Sequence, residues 1–300
     1  MSDKSLTLTH QVSFSTKIQD YVMLTKFRLS GLVVFSAAMG FIIGSGSGFS
    51  WTRLGLLVIG GFLVTGSSNG FNQIIEKDLD RLMERTQNRP LPTGRMSMAE
   101  AITASLLMGI LGVAILWLTI NPLCGVLSLF SLLIYTLVYT PAKRITPFSV
   151  LIGAIPGAFP PLLGWIAATG NVGLEGLSLY AVQFIWQFPH FWAIAWVLND
   201  DYKRAGFKML PADGGRTKKS AFQTLVYTIC LLPLALLPQF FGFTGTITTV
   251  LMFICGLVFT AQAVNLYITC EIKAAQKLMF GSFIYLPIVQ IVWMIDKLFG

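Results

Sequence analysis

Three oxygen-bearing side chains recur at intervals of four residues where a long apolar segment ends. They are Asn72, Glu76 and Asp80. On an α-helix this spacing puts all three on one stripe, where their oxygens would repel one another without a cation. Amide and carboxylate oxygens, with no cysteine or histidine, favour Mg²⁺ over a transition metal. The spacing therefore predicts a magnesium site.

Three arginines repeat the same spacing on the face beside these acids: Arg81, Arg85 and Arg89. Proteins commonly bind a polyphosphate with Mg²⁺ and neighbouring arginines together. The alternative is a salt-bridged helix at the membrane surface, whose arginines serve only to orient the protein in the membrane. Exposed ion pairs contribute only about 0–1 kcal/mol each. That is too little to require so dense a set of charges, so we favour the polyphosphate site.

Two further charged segments follow other apolar segments. In the first, Asp201 is followed by Lys203 and Arg204, and the second contains Lys143 and Arg144. On its own a basic pair after an apolar segment is an ordinary membrane anchor. Beside two acidic segments, the pair becomes a candidate clamp for phosphate.

One apolar segment contains the polar residues Gln183, Gln187 and His190. On a regular helix they fall within a stripe of about 60°, although Pro189 bends the helix. Polar residues inside a membrane usually face the interior of the bundle and often mark function. His190 either makes a hydrogen bond between helices or meets the substrate as an iron ligand, proton acceptor or carbocation stabiliser.

Composition shows which kind of protein must position these residues. The chain has 300 residues, of which 54% are hydrophobic and 11% charged, against about 25% charged in a soluble domain. The mean hydropathy is +0.71. These values exclude a soluble enzyme, a disordered chain and a disulfide-rich secreted domain. The four cysteines form no CxxC pair, and they are typical of small residues in membrane helices.

The apolar segments predict an all-α fold, a polytopic membrane bundle of about nine transmembrane helices of roughly 17 to 23 residues each. The predicted spans lie near 29–48, 54–75, 101–120, 123–140, 148–168, 177–198, 221–240, 246–268 and 279–296.

The charges fix a predicted topology. With the N-terminus inside, all of the 21 basic residues except Arg53 and Lys297 lie on the inner face, as the positive-inside rule requires. All of the 13 acids except Glu175 and Asp296 lie there too. Topology does not require acids on that face, so they indicate chemistry. The net charge of +8 is thus explained without nucleic acid, and a nucleic-acid partner is excluded.

The organisation follows from these spans. Residues 1–28 are predicted to be a cytoplasmic N-terminal tail. Residues 29–300 form a single transmembrane domain with cytoplasmic acidic loops at 76–95 and 199–219. The first 30 residues contain no apolar signal core and are not an acid-poor transit peptide. The expected location is therefore a bacterial inner membrane, with the N-terminus cytoplasmic and the C-terminus outside.

Several long motifs, in order, carry a resemblance that extends from about residue 21 to the C-terminus. The sequence resembles the UbiA-type intramembrane prenyltransferases, and within them the branch that farnesylates heme. The motifs are Asn72-x-x-x-Glu76-x-x-x-Asp80 with Met83–Pro90, then Tyr139–Arg144, Gly153–Trp165, Trp186–Trp192 and Asp201–Pro211.

The resemblance implies that farnesyl diphosphate and heme b are the substrates, heme O and diphosphate the products, and Mg²⁺ the cofactor. It implies a role for each candidate residue: Asn72, Glu76, Asp80 and Asp201 as catalytic metal ligands, Arg85, Arg89, Lys143, Arg144, Lys203 and Arg204 as diphosphate-binding residues, and His190 as a heme-binding residue. It also implies the lipid bilayer as surroundings, and a heme A synthase or terminal oxidase assembly as possible partners.

Two positions depart from the family pattern. Glu76 stands where many members have aspartate, and Ala205 stands four residues after Asp201, so a second DxxxD motif is incomplete. The number of Mg²⁺ ions is therefore left open. Lys26 and Arg28 either join the phosphate site or only anchor the first span.

Two other functions are weighed against this one. The first is an intramembrane prenyltransferase acting on an aromatic acid or a quinone precursor, which the Trp186–Trp192 motif disfavours. The second is a secondary transporter, whose polar sites lie near the middle of the membrane. Here the acids cluster at one surface beside basic residues, which disfavours a transporter.

Overall fold

The computed structural model describes residues 14–300, apart from the side chains of residues 14, 213 and 214, so residues 1–13 of the predicted tail lie outside the description. Within the described range every regular element is helical, which confirms the all-α prediction. The α-helices are α1 Phe14–Leu24, α2 Phe27–Ser45, α3 Trp51–Ile75, α4 Lys77–Asp80, α5 Met98–Ile115, α6 Pro122–Leu133, α7 Thr140–Ile145, α8 Ser149–Gly157, α9 Phe159–Thr169, α10 Leu174–Val197, α11 Asn199–Arg204, α12 Pro211–Gly214, α13 Lys218–Ile229, α14 Leu231–Phe240, α15 Thr246–Thr269 and α16 Ile272–Phe299.

Eight helical segments of the described chain are long and apolar enough to cross a membrane. They are Phe27–Gly48, Trp51–Ile75, Met98–Ile120, Pro122–Ile145, Ser149–Thr169, Lys218–Phe240, Thr246–Thr269 and Ile272–Phe299. These segments make the chain a multi-pass membrane protein, and they match eight of the nine predicted spans. Seven agree within five residues at each end, and the last helix begins seven residues before its predicted span.

The remaining predicted span, 177–198, corresponds to α10. This helix has 24 residues, about 36 Å of length at 1.5 Å per residue, so it is long enough to cross. Its polar side chains, among them Gln183, Gln187 and His190, lower its hydropathy below that of the other eight. It packs against α8, α9, α13, α14 and α16. The most polar long helix therefore lies inside the bundle.

Prolines interrupt the fifth span. Helix α8 ends at Gly157, and α9 begins at Phe159 with Pro160 and Pro161 in its first turn. Proline suits this position because the amide hydrogens of a first turn have no intrahelical partner. The result is a break at Ala158, and both half-helices pack against α10.

Small residues let α2 and α9 approach closely. A Cβ atom added at Gly40 would lie 2.0 Å from the Pro161 carbonyl oxygen, and one added at Gly164 would lie 1.9 Å from that of Ala37. In lipid the hydrophobic effect does not drive helices together, so close packing of this kind is what holds them. They fix one wall of the cavity described below.

The two ends of the bundle carry different ion pairs. At one end, α1 is tied to the first turn of α5 by Lys17–Glu100 and to the segment before α5 by Asp20–Arg95, each at 2.9 Å. At the other end, Lys297 in α16 lies 3.0 Å from Glu175 in α10. The first helix therefore lies at the end that carries the acidic loops. The last helix finishes at the opposite end, as an odd number of crossings requires.

Candidate active site

Three charged segments that are distant in sequence meet at one end of the bundle. Both carboxylate oxygens of Asp201 accept backbone hydrogen bonds from the first acidic loop, at 3.1 Å from Glu84 N and 3.4 Å from Arg85 N. The backbone N–H of Lys208 donates to the Lys143 carbonyl oxygen at 2.7 Å. The loops after α3, α6 and α10 therefore form one surface.

The stripe of Asn72, Glu76 and Asp80 follows one nearly continuous helical path. Glu76 N donates to the Asn72 carbonyl at 3.0 Å, and Asp80 N donates to the Glu76 carbonyl at 2.8 Å. The helical hydrogen bonds thus continue across the junction between α3 and α4. All three side chains are buried, and Asp80 is fully so.

Asn72 connects three elements. Its Nδ2 donates to Glu76 Oε2 at 2.8 Å and to Thr140 Oγ1 at 3.4 Å. Its Oδ1 accepts a hydrogen bond of 3.0 Å from Lys26 Nζ. Lys26 has a left-handed backbone, with φ at 46°, a strain of about 1–3 kcal/mol that is typical of functional sites. Burial, together with the charges of Arg89 and Lys143, lowers the pKa of Lys26 well below its usual value.

Glu76 forms a close ion pair with Lys143, and both side chains are buried. The Lys143 ammonium also lies over two aromatic rings, 5.2 Å from the centroid of Tyr139 and 5.3 Å from that of Phe207. Removing two charges from water costs free energy that their attraction must offset, and the aromatic faces supply a further attraction for the cation. Lys143 is therefore a built-in part of the site and more than a membrane anchor.

Within this stripe, Asp80 has a carboxylate oxygen that accepts no hydrogen bond from the described residues. Its Oδ2 lies 2.7 Å from Arg89 Nη1, whereas Oδ1 is buried with no hydrogen-bond partner among the described residues. Burial raises the pKa of Asp80, and the charge and hydrogen bond of Arg89 oppose this. A buried polar atom without a partner costs free energy, so this oxygen is suited to a ligand from outside the chain.

These donors fit a magnesium ion in type. They are all oxygens, and the free Oδ1 of Asp80 can accept a cation. In the described part of the chain, however, no three Asp, Glu, His or Cys side chains converge closely enough to form a metal site. Instead, Lys143 is ion-paired with Glu76, and Arg89 with Asp80. A bound ion would take further oxygens from the amide of Asn72 and from a phosphate.

Asp201 points toward the first acidic loop. Besides the two backbone amides, it accepts a short hydrogen bond from Arg204, which also lies 3.0 Å from Glu84. Burial acts to raise the pKa of Asp201, but the hydrogen bonds from Arg204 and the Glu84 and Arg85 amides outweigh it and lower the pKa. In this structure the Asp201 oxygens hold the loop in place.

The remaining basic candidates divide into two groups. Arg89 and Arg204 are paired with carboxylates. Three are exposed and form no ion pair within the described residues: Arg85, Arg144 and Lys203. Those three charges are available to an anion that approaches from outside.

A cavity of about 550 Å³ lies within the bundle, in the size range of sites for small molecules. Its wall is mainly apolar, with contributions from α2, α3, α8, α10 and α16, and Arg28 and Tyr139 also line it. The polar side chains inside the helices that line it include Ser36, Thr65, Ser68, Asn69, Ser128, Ser131, Tyr135, Gln183, Gln187, His190 and Gln290. An elongated apolar ligand with an anionic head fits this arrangement.

The hydrogen bonds of His190 define its tautomer. Its Nδ1 lies 2.7 Å from Ser282 Oγ, and that hydroxyl donates to the Met279 carbonyl at 2.6 Å. Since the hydroxyl hydrogen is used, Nδ1 must carry the proton and Nε2 the lone pair. The ring stacks on Trp186 at 4.3 Å. Nε2 makes no hydrogen bond within residues 14–300 and is free to bind a metal centre or accept a proton.

Sequence reasoning missed several of these partners. Ser282 and Gln290 lie on α16, about a hundred residues from the α10 side chains that they contact. Phe207, which faces Lys143, was included only as part of a motif. A single sequence carries no signal for such contacts, because they depend on which helices pack together.

Comparisons with known proteins agree with this geometry. The UbiA prenyltransferase family matches residues 33–286. The chain is 50% identical over 287 residues to the protoheme IX farnesyltransferase of Cytophaga hutchinsonii, covering 95% of this chain and 100% of that protein. It is 43% identical over 293 residues to the enzyme of the same name from Flavobacterium johnsoniae, covering 95% and 97%.

Solved structures share the fold. A digeranylgeranylglyceryl phosphate synthase matches with a TM-score of 0.79 at 20% identity, covering 94% of this chain and 98% of that one. A UbiA homolog from Archaeoglobus fulgidus, bound to GPP and Mg²⁺, matches with a TM-score of 0.69 at 17% identity, covering 91% and 99%. At these identities the likeness establishes the helical architecture alone.

Proposed function

The chain belongs to the UbiA prenyltransferase family, and from this premise we propose that it transfers the farnesyl group of farnesyl diphosphate to a vinyl group of heme b. The products are heme O and diphosphate. The observation that carries the proposal is the joining of a buried acid–base cluster, at one end of the bundle, to an apolar cavity that contains His190. The relatives named protoheme IX farnesyltransferase support this choice of substrates.

The basic residues bind the diphosphate and stabilise the charge that grows on it as the C–O bond breaks. Lys143 and Arg89 are held in a buried setting, where a charge interacts more strongly than in water. Arg85, Arg144 and Lys203 are exposed at the same end. We assign the first contact with the anion to these three residues, and the stabilisation of the leaving group to Lys143 and Arg89.

The magnesium site is assigned to Asn72, Glu76 and Asp80. When bound, Mg²⁺ neutralises the diphosphate as it leaves. The free Oδ1 of Asp80 supports this assignment. Asp201 joins the ligand set only when Arg204 and the loop amides release its oxygens. Until then it acts by fixing the loop.

The heme and the farnesyl chain occupy the cavity, where their apolar surfaces are removed from water. His190 contacts the heme through Nε2, and we assign that atom as a ligand of the iron. Ser282 holds the imidazole in the tautomer that this role requires. A hydrogen bond to the second nitrogen is how proteins usually orient such a histidine.

We further propose that the end bearing this site faces the cytoplasm of a bacterium, because the basic residues are concentrated there. This orientation places the N-terminus in the cytoplasm and the C-terminus outside the inner membrane. The heme O product would then be available to a heme A synthase or to terminal oxidase assembly.

One assay tests the function directly. The purified full-length protein is incubated with heme b, farnesyl diphosphate and Mg²⁺, and heme O is sought by mass spectrometry. We expect heme O to form and to require the metal, which an excess of chelator checks. Prenylation of an aromatic acid or a quinone precursor, with heme b left unchanged, would contradict the proposal.

A further inference from the structure

The carboxamide of Gln187 has a fixed orientation in the cavity wall. Gln187 is 3% exposed, and its Nε2 donates to the Ala154 carbonyl at 3.1 Å and to the Gln183 carbonyl at 3.2 Å. Both partners are acceptors, so only the NH₂ end of the amide can face them. The Oε1 atom makes no hydrogen bond within the described residues. Gln187 lines the cavity, and Oε1 is therefore an available acceptor there.

The other two glutamines of the cavity are satisfied. Gln183 donates to the Gly157 carbonyl at 2.8 Å and accepts from Gln290 at 3.1 Å. Gln290 in turn accepts from Ser36 at 3.2 Å. Among the glutamines that line the cavity, Gln187 alone keeps a carbonyl without a donor from the described chain. An acceptor that faces an apolar cavity without a partner is destabilising, so a donor from a bound molecule is expected at this point.

Gly157 makes room for this carbonyl. A Cβ atom added at Gly157 would lie 2.1 Å from Gln187 Oε1, well inside the contact distance. Any side chain at this position would displace the end of the glutamine. The break between α8 and α9 thus provides the space that the Gln187 carboxamide occupies.

We propose that Gln187 is a catalytic residue, whose Oε1 holds the water molecule that becomes the hydroxyl group of the product. This inference rests on the proposed function, because the farnesylation of a vinyl group leaves a cation that must be captured. The cavity wall is otherwise mostly apolar, so water is scarce there and needs a specific partner. A carbonyl acceptor binds one water hydrogen and directs the oxygen lone pair toward the cation.

The step balances without an outside reagent. The vinyl π electrons form a C–C bond to C1 of the farnesyl group, and the C–O electron pair leaves with the diphosphate. Positive charge then lies on the vinyl carbon next to the porphyrin. The water oxygen forms a C–O bond to this carbon, and the water proton passes to the released diphosphate, the strongest base that the reaction itself produces. Without a held water, the cation loses a proton and gives a farnesylated heme that lacks the hydroxyl.

The test measures which of the two products forms. Purified Gln187→Met is incubated with heme b, farnesyl diphosphate and Mg²⁺, and the farnesylated hemes are separated by mass. We expect the ratio of hydroxylated product to the product lighter by one water to fall about tenfold, as the loss of one hydrogen bond predicts. In ¹⁸O-labelled water, only the hydroxylated product should carry the label.

Two further variants make the result specific. Gly157→Ala leaves Gln187 in place but pushes its carbonyl aside, so it should shift the product ratio in the same direction. Gln262→Met is the matched control. Gln262 lies in α15 outside the cavity wall, and its Oε1 is also buried without a partner among the described residues. This control should keep the product ratio of the unaltered protein.

Each other outcome is decisive. An unchanged product ratio in both Gln187→Met and Gly157→Ala overturns the inference. Loss of both products in a Gln187→Met protein that still binds heme also overturns it, because Gln187 would then act before the C–C bond forms. If the unaltered protein farnesylates no heme at all, the proposed function fails instead.

Discussion

Asp80 Oδ2 lies 2.7 Å from Arg89 Nη1, while the second oxygen of the same carboxylate has no partner among the described residues. The Asp80 side chain is fully buried, at 0% exposure, and that of Arg89 is largely buried, at 14%. One oxygen therefore fixes the arginine, and the other remains for a ligand. This division lets a single aspartate hold a metal ion and a phosphate-binding arginine side by side.

Asp80→Asn should remove most of the activity. The amide has nearly the same shape, but it lacks the negative charge that both Mg²⁺ and Arg89 require. We expect heme O formation to fall by at least about 10²-fold, as with the loss of other preorganised electrostatic groups. Initial rates at saturating Mg²⁺ test this.

Asp78→Asn is the matched control for Asp80→Asn. Asp78 lies on the same short helix, two residues earlier, and its side chain is 85% exposed beside Arg81. The Asp78→Asn variant should retain nearly full activity. A near-normal rate for Asp80→Asn would remove Asp80 from the proposed metal site.

Asp201→Asn should loosen the first acidic loop. The carboxylate accepts from the Glu84 and Arg85 amides, whereas an asparagine would turn an NH₂ group toward one of these donors. We expect faster hydrogen exchange over residues 83–89 and a higher KM for farnesyl diphosphate. Asp200→Asn is the control, because Asp200 is exposed and pairs with Arg216 at 3.1 Å. Unchanged exchange in Asp201→Asn, with a loss of Mg²⁺ affinity, would mean that Asp201 acts as a metal ligand instead.

The stabilisation of the first acidic loop by the Asp201 carboxylate should depend on pH. The pKa of Asp201 is lowered in the folded protein, so the ionised carboxylate stabilises the loop above the usual aspartate pKa of about 3.9. This stabilisation is lost as the pH falls through the lowered pKa of the folded state. The difference in exchange protection between the unaltered protein and Asp201→Asn should therefore be full near neutral pH and vanish in acid. A difference that persists below the lowered pKa would contradict this assignment.

The membrane-spanning architecture could be predicted from the sequence because the length of each apolar segment shows whether it can cross a membrane. Eight of the spans needed no tertiary information, and the spacing of Asn72, Glu76 and Asp80 placed them on one stripe, since helical geometry is local. The charge pattern also separated the two ends of the bundle. Glu175, for example, lies beside Lys297 at the end away from the acidic loops.

Pairing across the bundle could not be predicted in this way. Lys26 reaches Asn72 only because the chain takes a left-handed conformation between α1 and α2. The hydrogen bonds that Asp201 accepts from the Glu84 and Arg85 amides gave no signal in the sequence. Ser282 gave no signal, since only the packing of α10 against α16 brings it to His190. These positions depend on tertiary contacts that no local pattern reports.

Lys143→Met should destabilise the protein as well as inactivate it. The substitution leaves the Glu76 carboxylate buried without its partner, which costs about 3–5 kcal/mol in comparable cases. We expect a lower thermal midpoint in detergent and no measurable heme O. The double variant Lys143→Met with Glu76→Gln removes both charges and should recover stability without activity. Failure of the double variant to recover stability would mean that Lys143 acts through its contacts with Tyr139 and Phe207.

Arg144→Met provides the comparison with Lys143. Arg144 is the next residue in sequence, but it is exposed and has no ion pair in the described chain. Its loss should leave the thermal midpoint unchanged. It should raise the KM for farnesyl diphosphate a few-fold, and salt should reduce this effect because exposed charges are screened. A loss of stability equal to that of Lys143→Met would contradict this division of roles.

His190→Ala should weaken heme binding, because it removes the nitrogen that we assign to the iron. Ser282→Ala separates ligation from simple packing. Without the hydroxyl, the imidazole is no longer held with its proton on Nδ1, so we expect the affinity for heme to fall about 10–100-fold. The Soret band of the bound heme is the readout, since a change of axial ligand shifts it and a change of packing does not. A heme titration and spectrum unchanged in His190→Ala would return this histidine to a purely structural role between α10 and α16.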